Sequence, residues 1–192
     1  SSDGIEVMPI TRVPLRLEIL RAVSDALKGI NPENGYEFDL RDEFTPDNEA
    51  RQRVVRGRLH IGDDEPLPMV SLVEPPMAIE PINTRRQADN TVRAGDWDII
   101  IQGWVRDDGQ NPTDSAYQLE AEVRRRLAAE KKRPDGRPGS PNGRNYFGLG
   151  NKIMNMTIGS PVIRPNEHVS EQAVFYLVLT LQISEDMATP LG

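Results

Sequence analysis

The sequence predicts an α+β domain, in which a mostly antiparallel sheet carries two helices on one of its faces. Three observations lead to this prediction. Residues 98–127 contain a strand, a polar turn and an amphipathic helix in succession, residues 53–74 contain two strands around a polar turn, and residues 173–183 alternate regularly between two faces. No strand–helix–strand unit carries the glycine fingerprint of a nucleotide site. We therefore expect helices packed on an antiparallel sheet rather than a parallel nucleotide-binding fold.

Composition limits the classes of function. The 192 residues suit one domain, which we place at 1–192, with a flexible N-terminal arm at 1–10 and a long extended loop at 134–150. A hydrophobic content of 37% predicts long polar loops, or surfaces that become buried only in an assembly. The net charge of -7 disfavours a general nucleic-acid binder. No apolar run approaches the roughly 20 residues of a membrane span. Without cysteine, the chain has neither a disulfide nor a thiolate nucleophile or metal ligand.

The first predicted element is a helix that starts within residues 11–14 and ends near Lys28. Its apolar stripe is predicted at helical spacing, on Leu17, Leu20, Val23 or Ser24, and Leu27. Gly29 is placed to end the helix. Residues 31–35 are predicted to form a turn, and residues 36–40 a short strand.

Residues 53–74 are predicted to form a hairpin. The first strand, 53–61, alternates between two faces. The inward residues are Val55, Leu59 and Ile61, and the outward residues are Arg56, Arg58 and His60. A polar turn at 62–66 leads to the second strand, 67–74, which two prolines end because proline cannot donate to a sheet ladder. Residues 77–94 are weakly patterned and are predicted to form either a long loop or an irregular excursion that carries contacts.

The strand at 98–105 is predicted to be central because both of its faces are apolar. One face has Trp97, Ile99 and Ile101, and the other has Ile100, Gln102 and Trp104. We expect one of the two tryptophans to be buried between the sheet and a helix. Asn111 is predicted to cap the next helix, with Pro112 at its first position and Asp114 in its first turn. The buried stripe of that helix is predicted to be Ala116, Leu119, Val123 and Leu127.

The last part of the chain is predicted to contain the long loop and three strand segments. Residues 134–150 are rich in glycine, proline and asparagine, and a loop of this length inside a compact domain is usually functional or disordered. Residues 152–163 indicate a strand that is interrupted near 159–161. The clearest strand is 173–183. One of its faces carries Ala173, Phe175, Leu177, Leu179, Leu181 and Ile183, and the other carries Val174, Tyr176, Val178, Thr180 and Gln182.

No residue pattern predicts a catalytic, cofactor-binding or metal site. His60 and His168 each lack a second histidine or a carboxylate at zinc-ligand spacing, so a structural or simply exposed role is preferred. The acidic residues at 63–65 and 107–108 lack the regular spacing of a calcium loop, and solvated turns are the preferred interpretation. No serine lies in a nucleophile elbow. We therefore expect a protein that is not an enzyme.

A basic and aromatic cluster is the candidate interface with a subunit or partner. Its residues are Arg124, Arg125, Arg137, Arg144, Tyr146 and Phe147. One interpretation is an electrostatic contact with a neighbouring subunit or with DNA. The other is a solvated helix face followed by a soluble loop. An exposed loop that combines arginines with aromatic residues resembles an interface anchor, so both interpretations are kept.

Four segments carry a resemblance to a known family. They are RLEILRAVSDALKGINPENGY at 16–36, RVVRGRLHIGDDEPLPMVSLVEPP at 53–76, DWDIIIQGWVRDDGQNPTDSAYQLEAEVRRRL at 96–127, and VIRPNEHVSEQAVFYLVLTL within 158–181. Together these segments resemble the tail terminators of tailed bacteriophages, also called tail completion or head-to-tail joining proteins. The resemblance implies a virion protein that assembles in the host cytoplasm as a ring, usually a hexamer, at the head-proximal end of the tail. It implies that the ring caps the tail tube, joins the tube protein to the head connector and leaves a lumen for DNA.

The family has no catalytic residues to carry over to this chain. An acidic ring would repel DNA phosphates and let DNA slide through, and ring subunits meet through heterologous head-to-tail contacts. We expect the loop at 134–150 to contact a neighbouring ring or the tube, so that its deletion leaves the fold intact and prevents assembly. Three alternatives stay open. They are a neck or adaptor component of a short-tailed phage, a cytoplasmic enzyme or ligand-binding domain with one deep pocket, and a DNA-binding regulator that uses residues 124–144.

Overall fold

The computed structural model of the chain describes residues 13–76, 92–133, 145–186 and 188. Within these residues it has two helices, α1 (Leu15–Lys28) and α2 (Asp114–Lys131). The strands are β1 (Glu43–Phe44), β2 (Ala50–Arg51), β3 (Val54–Arg56), β4 (Met69–Val73), β5 (Val92–Arg106), β6 (Ile153–Ile158), β7 (Val162–Pro165) and β8 (Gln172–Asp186). The predicted α+β class with a mostly antiparallel sheet is confirmed.

The main sheet is built around one long antiparallel pair. Its strands are ordered β3-β4-β5-β8-β6, and β7 also pairs with β8. β5 and β8 pair along their whole length, from Val92 opposite Asp186 to Arg106 opposite Gln172. β5 therefore lies inside the sheet between β4 and β8, which confirms its predicted central position. β1 and β2 form a separate two-stranded ladder.

The inner face of the sheet carries both helices and most of the core. The six residues predicted to share one face of β8 are all buried here, at 2% exposure or less. The stripe predicted for α2 is also confirmed, since all four of its residues are fully buried. Trp97 is buried in this layer, as expected for one of the two tryptophans. Burial of this continuous apolar layer is the main stabilising contribution to the fold.

The outer face of the sheet carries a second, smaller apolar cluster. Its buried members are Ile61, Met69, Trp104 and Val174. Trp104 is only 2% exposed, although no helix covers it. The loop between β3 and β4, which brings in Ile61, contributes the cover on this side. This cluster explains why β5 is apolar on both faces.

The predicted hairpin at 53–74 is wrong, because β3 and β4 pair in parallel. β3 ends early, since Gly57 adopts a left-handed φ of 76° and its N–H donates to the carbonyl of Leu72. The chain then crosses back through residues 57–68 instead of making a tight turn. The predicted alternation holds only in part: Ile61 is buried and Val55 partly buried as predicted, whereas Leu59 is 56% exposed and Val54 is the fully buried residue of β3.

The strand predicted at 36–40 is not formed. The carboxylate of Glu122 on α2 accepts hydrogen bonds from the backbone N–H groups of Glu37 and Phe38. The N–H of Leu40 donates to the carbonyl of Ile30 at 2.8 Å. These acceptors satisfy the backbone N–H groups of the segment without a partner strand, so it remains an irregular segment that contacts α2.

Helix positions agree with prediction, but their details differ. The buried side of α1 consists of Ile19, Val23, Ser24, Ala26 and Leu27. Leu17 and Leu20, predicted in this stripe, are only partly buried. α2 begins after Thr113, so Asn111 does not cap it and Pro112 is not its first residue.

The turn before α2 is instead organised by an aspartate. The Asp108 carboxylate accepts the N–H groups of Gln110 and Asn111, and these bonds hold the pKa of Asp108 below its ordinary value. The position of Asp114 in the first turn of α2 is confirmed. Near the C-terminus, β6 ends at Ile158 and β7 starts at Val162, so the interruption predicted at 159–161 is confirmed.

Candidate interaction surfaces

Tyr146 and Phe147 lie inside the subunit, which corrects their prediction as exposed interface anchors. They are 3% and 8% exposed, respectively, and belong to the inner core. The buried carboxylate of Glu130 accepts the N–H of Phe147 at 3.1 Å, which turns the chain back onto α2. Phe147 has a left-handed φ of 54°, an uncommon conformation for a bulky residue. A deletion that includes residues 145–150 would therefore damage the core and not only an external loop.

The two predicted interface arginines on α2 are engaged within the subunit. Arg124 donates to the buried Glu120 at 2.7 Å. The Arg125 guanidinium stacks 4.4 Å above the Tyr36 ring and donates to the carbonyl of Gly35. Both side chains remain partly exposed to solvent, but both guanidinium groups already contact groups of the same subunit. Arg137 and Arg144, predicted in the same cluster, lie outside the described residues.

α2 carries two buried carboxylates that the sequence analysis missed. Glu120 and Glu130 are 1% and 4% exposed, respectively. Glu130 accepts from Arg126 at 2.8 Å as well as from the N–H of Phe147. Arg126 also donates to the carbonyl of Ala26, which ties α2 to α1. The spacing of Glu130 four residues after Arg126 could have indicated the pair, but no pattern in the sequence indicates its burial.

A groove of about 520 Å³ lies on the outer face of the sheet. It is bounded by the loop after β3 and the loop between β7 and β8. Its lining combines apolar and aromatic side chains with polar side chains and with charges of both signs, Arg164 and Glu167. The lining includes Leu59, His60, Trp104, Arg164, His168 and Tyr176. Tyr176 accepts a hydrogen bond from the side chain of Gln102, its partner across the strands, at 3.3 Å.

The fold brings the two histidines of the chain together in this groove. The ring centroids of His60 and His168 are 5.6 Å apart and the rings meet edge to face. Both residues are exposed, as the sequence analysis allowed, but their proximity was not predicted. Among the described residues, no group of three or more histidines, aspartates or glutamates is placed to hold a metal ion.

A hairpin arm, residues 43–51, projects beside β3. It consists of β1, β2 and the turn between them, in which the N–H of Thr45 donates to the carbonyl of Glu49. Its base is held by Arg51, which donates to the carbonyl of Asp64 at 3.2 Å. Phe44 is 65% exposed, more than any other large apolar residue in the described part of the chain. The arm thus presents an aromatic side chain to solvent.

A charged hollow of about 440 Å³ lies at the foot of the arm. Its residues include Asp39 and Arg41, whose side chains form a two-point contact at 2.8 and 3.0 Å. The hydrogen bond from Arg41 lowers the pKa of Asp39 below its ordinary value, and the same contact raises the pKa of Arg41. This hollow is saturated with internal ion pairs, so we assign it a structural role.

Comparison with protein-family models gives no match for this sequence, and comparison with curated proteins likewise gives none. No helix in the described part of the chain combines the length and the apolar character needed to cross a membrane.

Proposed function

We propose that this chain is a tail terminator: a structural virion protein of a tailed phage that forms a ring at the head-proximal end of the tail. The ring caps the tail tube, contacts the head connector and leaves a lumen for DNA. The observation that carries the proposal is the resemblance of the four quoted segments to this family. Those segments correspond to α1 with its turn, β3 with β4, β5 with α2, and β7 with β8. They therefore belong to one sheet and its two helices rather than to scattered loops.

Two features of the described surface support the proposal. Arg124, Arg125 and Arg126 are engaged by contacts within the subunit, which suits a protein that DNA passes without being held. The hairpin arm and the groove are unlike each other and lie on different parts of the chain. A closed ring requires unlike surfaces on each subunit, because every contact in it is head to tail.

The direct test is a tube-capping assay. Purified tail tube protein of the parent phage is polymerised with and without this protein, and tube lengths are measured by electron microscopy. We expect shorter tubes that end in a cap at one end only, because a terminator occupies a single growing end. Unchanged lengths and bare ends at a molar excess of this protein would refute the proposal. Tube protein alone, and tube protein with an unrelated acidic protein, are the controls.

One observation favours a second candidate function. The groove of about 520 Å³ falls within the size range of small-molecule sites, and its aromatic floor and polar rim suit a ligand. A ligand-binding domain predicts a stable monomer and saturable binding of an aromatic carboxylate, whereas the terminator predicts assembly. A neck or adaptor protein of a short-tailed phage would share the fold, and its position in the particle distinguishes it.

A further inference from the structure

We propose that His60 and His168 form a two-histidine site for a borderline divalent metal ion, such as Zn²⁺, Ni²⁺ or Cu²⁺, in the outer-face groove. This inference goes beyond the proposed function and is independent of it, because it concerns the two imidazoles and requires no assembly. Along the sequence, each histidine lacks a second ligand at zinc spacing, but the fold brings the other histidine to it. Three observations carry the inference: the ring separation, the uncommitted imidazoles and the neighbouring charges.

The separation of the two rings matches that of two ligands on one ion. Their centroids are 5.6 Å apart. A zinc-bound imidazole nitrogen lies about 2.1 Å from the metal, so two rings on one tetrahedral ion have centroids roughly 5–6 Å apart. The ring planes meet at 79°, which one ion accommodates because each metal–nitrogen bond lies in the plane of its own ring. Both side chains are exposed, so rotation about their torsions can direct one nitrogen of each ring at a shared ion.

Both imidazoles are uncommitted within the described part of the chain. Neither ring forms an ion pair with a described carboxylate. The hydrogen bond from His168 to the side chain of Asn166 uses the backbone N–H of the histidine and leaves its ring unused. A neutral imidazole whose nitrogen lone pair has no partner is the form in which histidine binds a metal. The contact between the two rings therefore does not compete with other interactions of either side chain.

The neighbouring groups determine how firmly the ion is held. The groove lining also includes Arg164 and Glu167, whose opposite charges offset each other near the pair. Among the described residues no third histidine or carboxylate is placed to complete a metal site, so water fills the remaining coordination positions. Two protein ligands with open positions form a reversible site at the surface rather than a permanent structural centre.

The ligand chemistry selects the class of ion. Imidazole nitrogen suits zinc, nickel and copper, whereas magnesium and calcium are bound by oxygen. His60 lies in the loop between β3 and β4, and His168 in the loop between β7 and β8, so a shared ion links two loops on the outer face. We expect the ion to stabilise the folded protein, because the unfolded chain does not hold the two imidazoles together.

The test is a titration of the purified protein, without an affinity tag, with zinc chloride. Binding is measured by calorimetry and by the imidazole proton signals in NMR spectra, which are simple because the chain has two histidines. We expect one ion per chain, shifts of both histidine signals over the same range of zinc concentration, and no response to magnesium chloride. No cysteine competes for the ion, so the histidines are the natural sites of any strong binding.

Substitutions separate a shared ion from an ion on one residue. His60→Ala and His168→Ala are each expected to weaken zinc binding by about tenfold or more, because each leaves a single imidazole. Glu167→Gln is the matched control: it removes the carboxylate next to His168 and is expected to change the affinity by less than about threefold. Zinc is also expected to raise the urea midpoint of the wild-type protein but not that of the double histidine variant. Circular dichroism checks that each variant is folded, which the exposure of both histidines favours.

Three results would overturn the site. The first is no zinc binding by the wild-type protein at millimolar zinc. The second is binding that the double histidine variant retains, which would place the ion on carboxylates of this acidic chain. The third is a shift of one histidine signal only, with binding lost in only one of the two single variants, since the ion would then have one imidazole ligand. None of these results bears on tube capping, so the terminator role is tested separately.

Discussion

Gly103 is the position at which the packing of the central strand pair can be tested most sharply. It lies on the inner face of β5, directly opposite Phe175 on β8. A Cβ atom added to Gly103 would lie 2.1 Å from Cε1, 2.5 Å from Cζ and 2.8 Å from Cδ1 of the Phe175 ring. That ring is fully buried, so it cannot swing into solvent. The substitution Gly103→Ala therefore forces the ring, the strands or both to move.

The size of the effect follows from these distances. Carbon atoms pack at about 3.5 Å or more, so the ring must retreat by about 1.4 Å within a filled core. Overpacking of a core costs about 1–3 kcal/mol, and we expect about 3 kcal/mol because three ring atoms clash at once. Urea unfolding, followed by circular dichroism, measures this loss as a lower midpoint at an unchanged m value.

Two controls separate the clash from a general effect of alanine. Gly109→Ala is expected to be nearly neutral, because no atom lies within 4 Å of its added Cβ. In a Phe175→Leu background, Gly103→Ala is expected to cost less than in the wild type, since the smaller side chain leaves space for the methyl group. A loss below about 0.5 kcal/mol for Gly103→Ala in the wild-type background would refute the register of β5 and β8.

Three further predictions concern the charged groups. Glu130→Ala is expected to lower the free energy of unfolding in urea by about 3 kcal/mol, because it leaves Arg126 and the buried N–H of Phe147 without their acceptor. Glu130→Gln is expected to lower it by less. A loss under about 1 kcal/mol would contradict the assigned role. Asp39→Asn is expected to lower stability slightly at neutral pH. The pKa of Asp39 is lowered in the folded state, so the stability that its carboxylate contributes is present above the pKa of the unfolded chain and is lost as the pH falls through the pKa of the folded protein. A difference in stability between wild type and Asp39→Asn that persists in acid would contradict this. DNA binding by filter retention is expected to be negligible at physiological salt, and Arg125→Ala not to change it; binding that falls steeply with salt would contradict the internal role of the arginines.

Local periodicity was sufficient to predict the elements that build the centre of the sheet. β8 alternates from Phe175 to Ser184, and the residues predicted to share one of its faces are buried in the inner core. The stripe on α2 was also recognisable, because four apolar residues recur at helical spacing. The break between β6 and β7 follows from Gly159 and Pro161, which interrupt the strand pattern. In each case the pattern that predicts the element lies in residues that are close together along the chain.

Long-range contacts account for the features that were predicted wrongly or missed. Whether β3 joins β4 in parallel depends on the path of the loop at 57–68, and a pattern of alternation is the same for both directions. Tyr146 and Phe147 followed a polar loop, and their burial depends on an acceptor on α2, Glu130. The proximity of His60 and His168 depends on two loops from different parts of the sheet.

The measurement that tests the terminator account most directly is electron microscopy of the purified protein, combined with mass determination, alone and with tail tubes of the parent phage. The account predicts closed rings with a central hole and one mass, either free in solution or bound to one end of each tube. Monomers at every concentration, together with tube ends that remain bare, would contradict it.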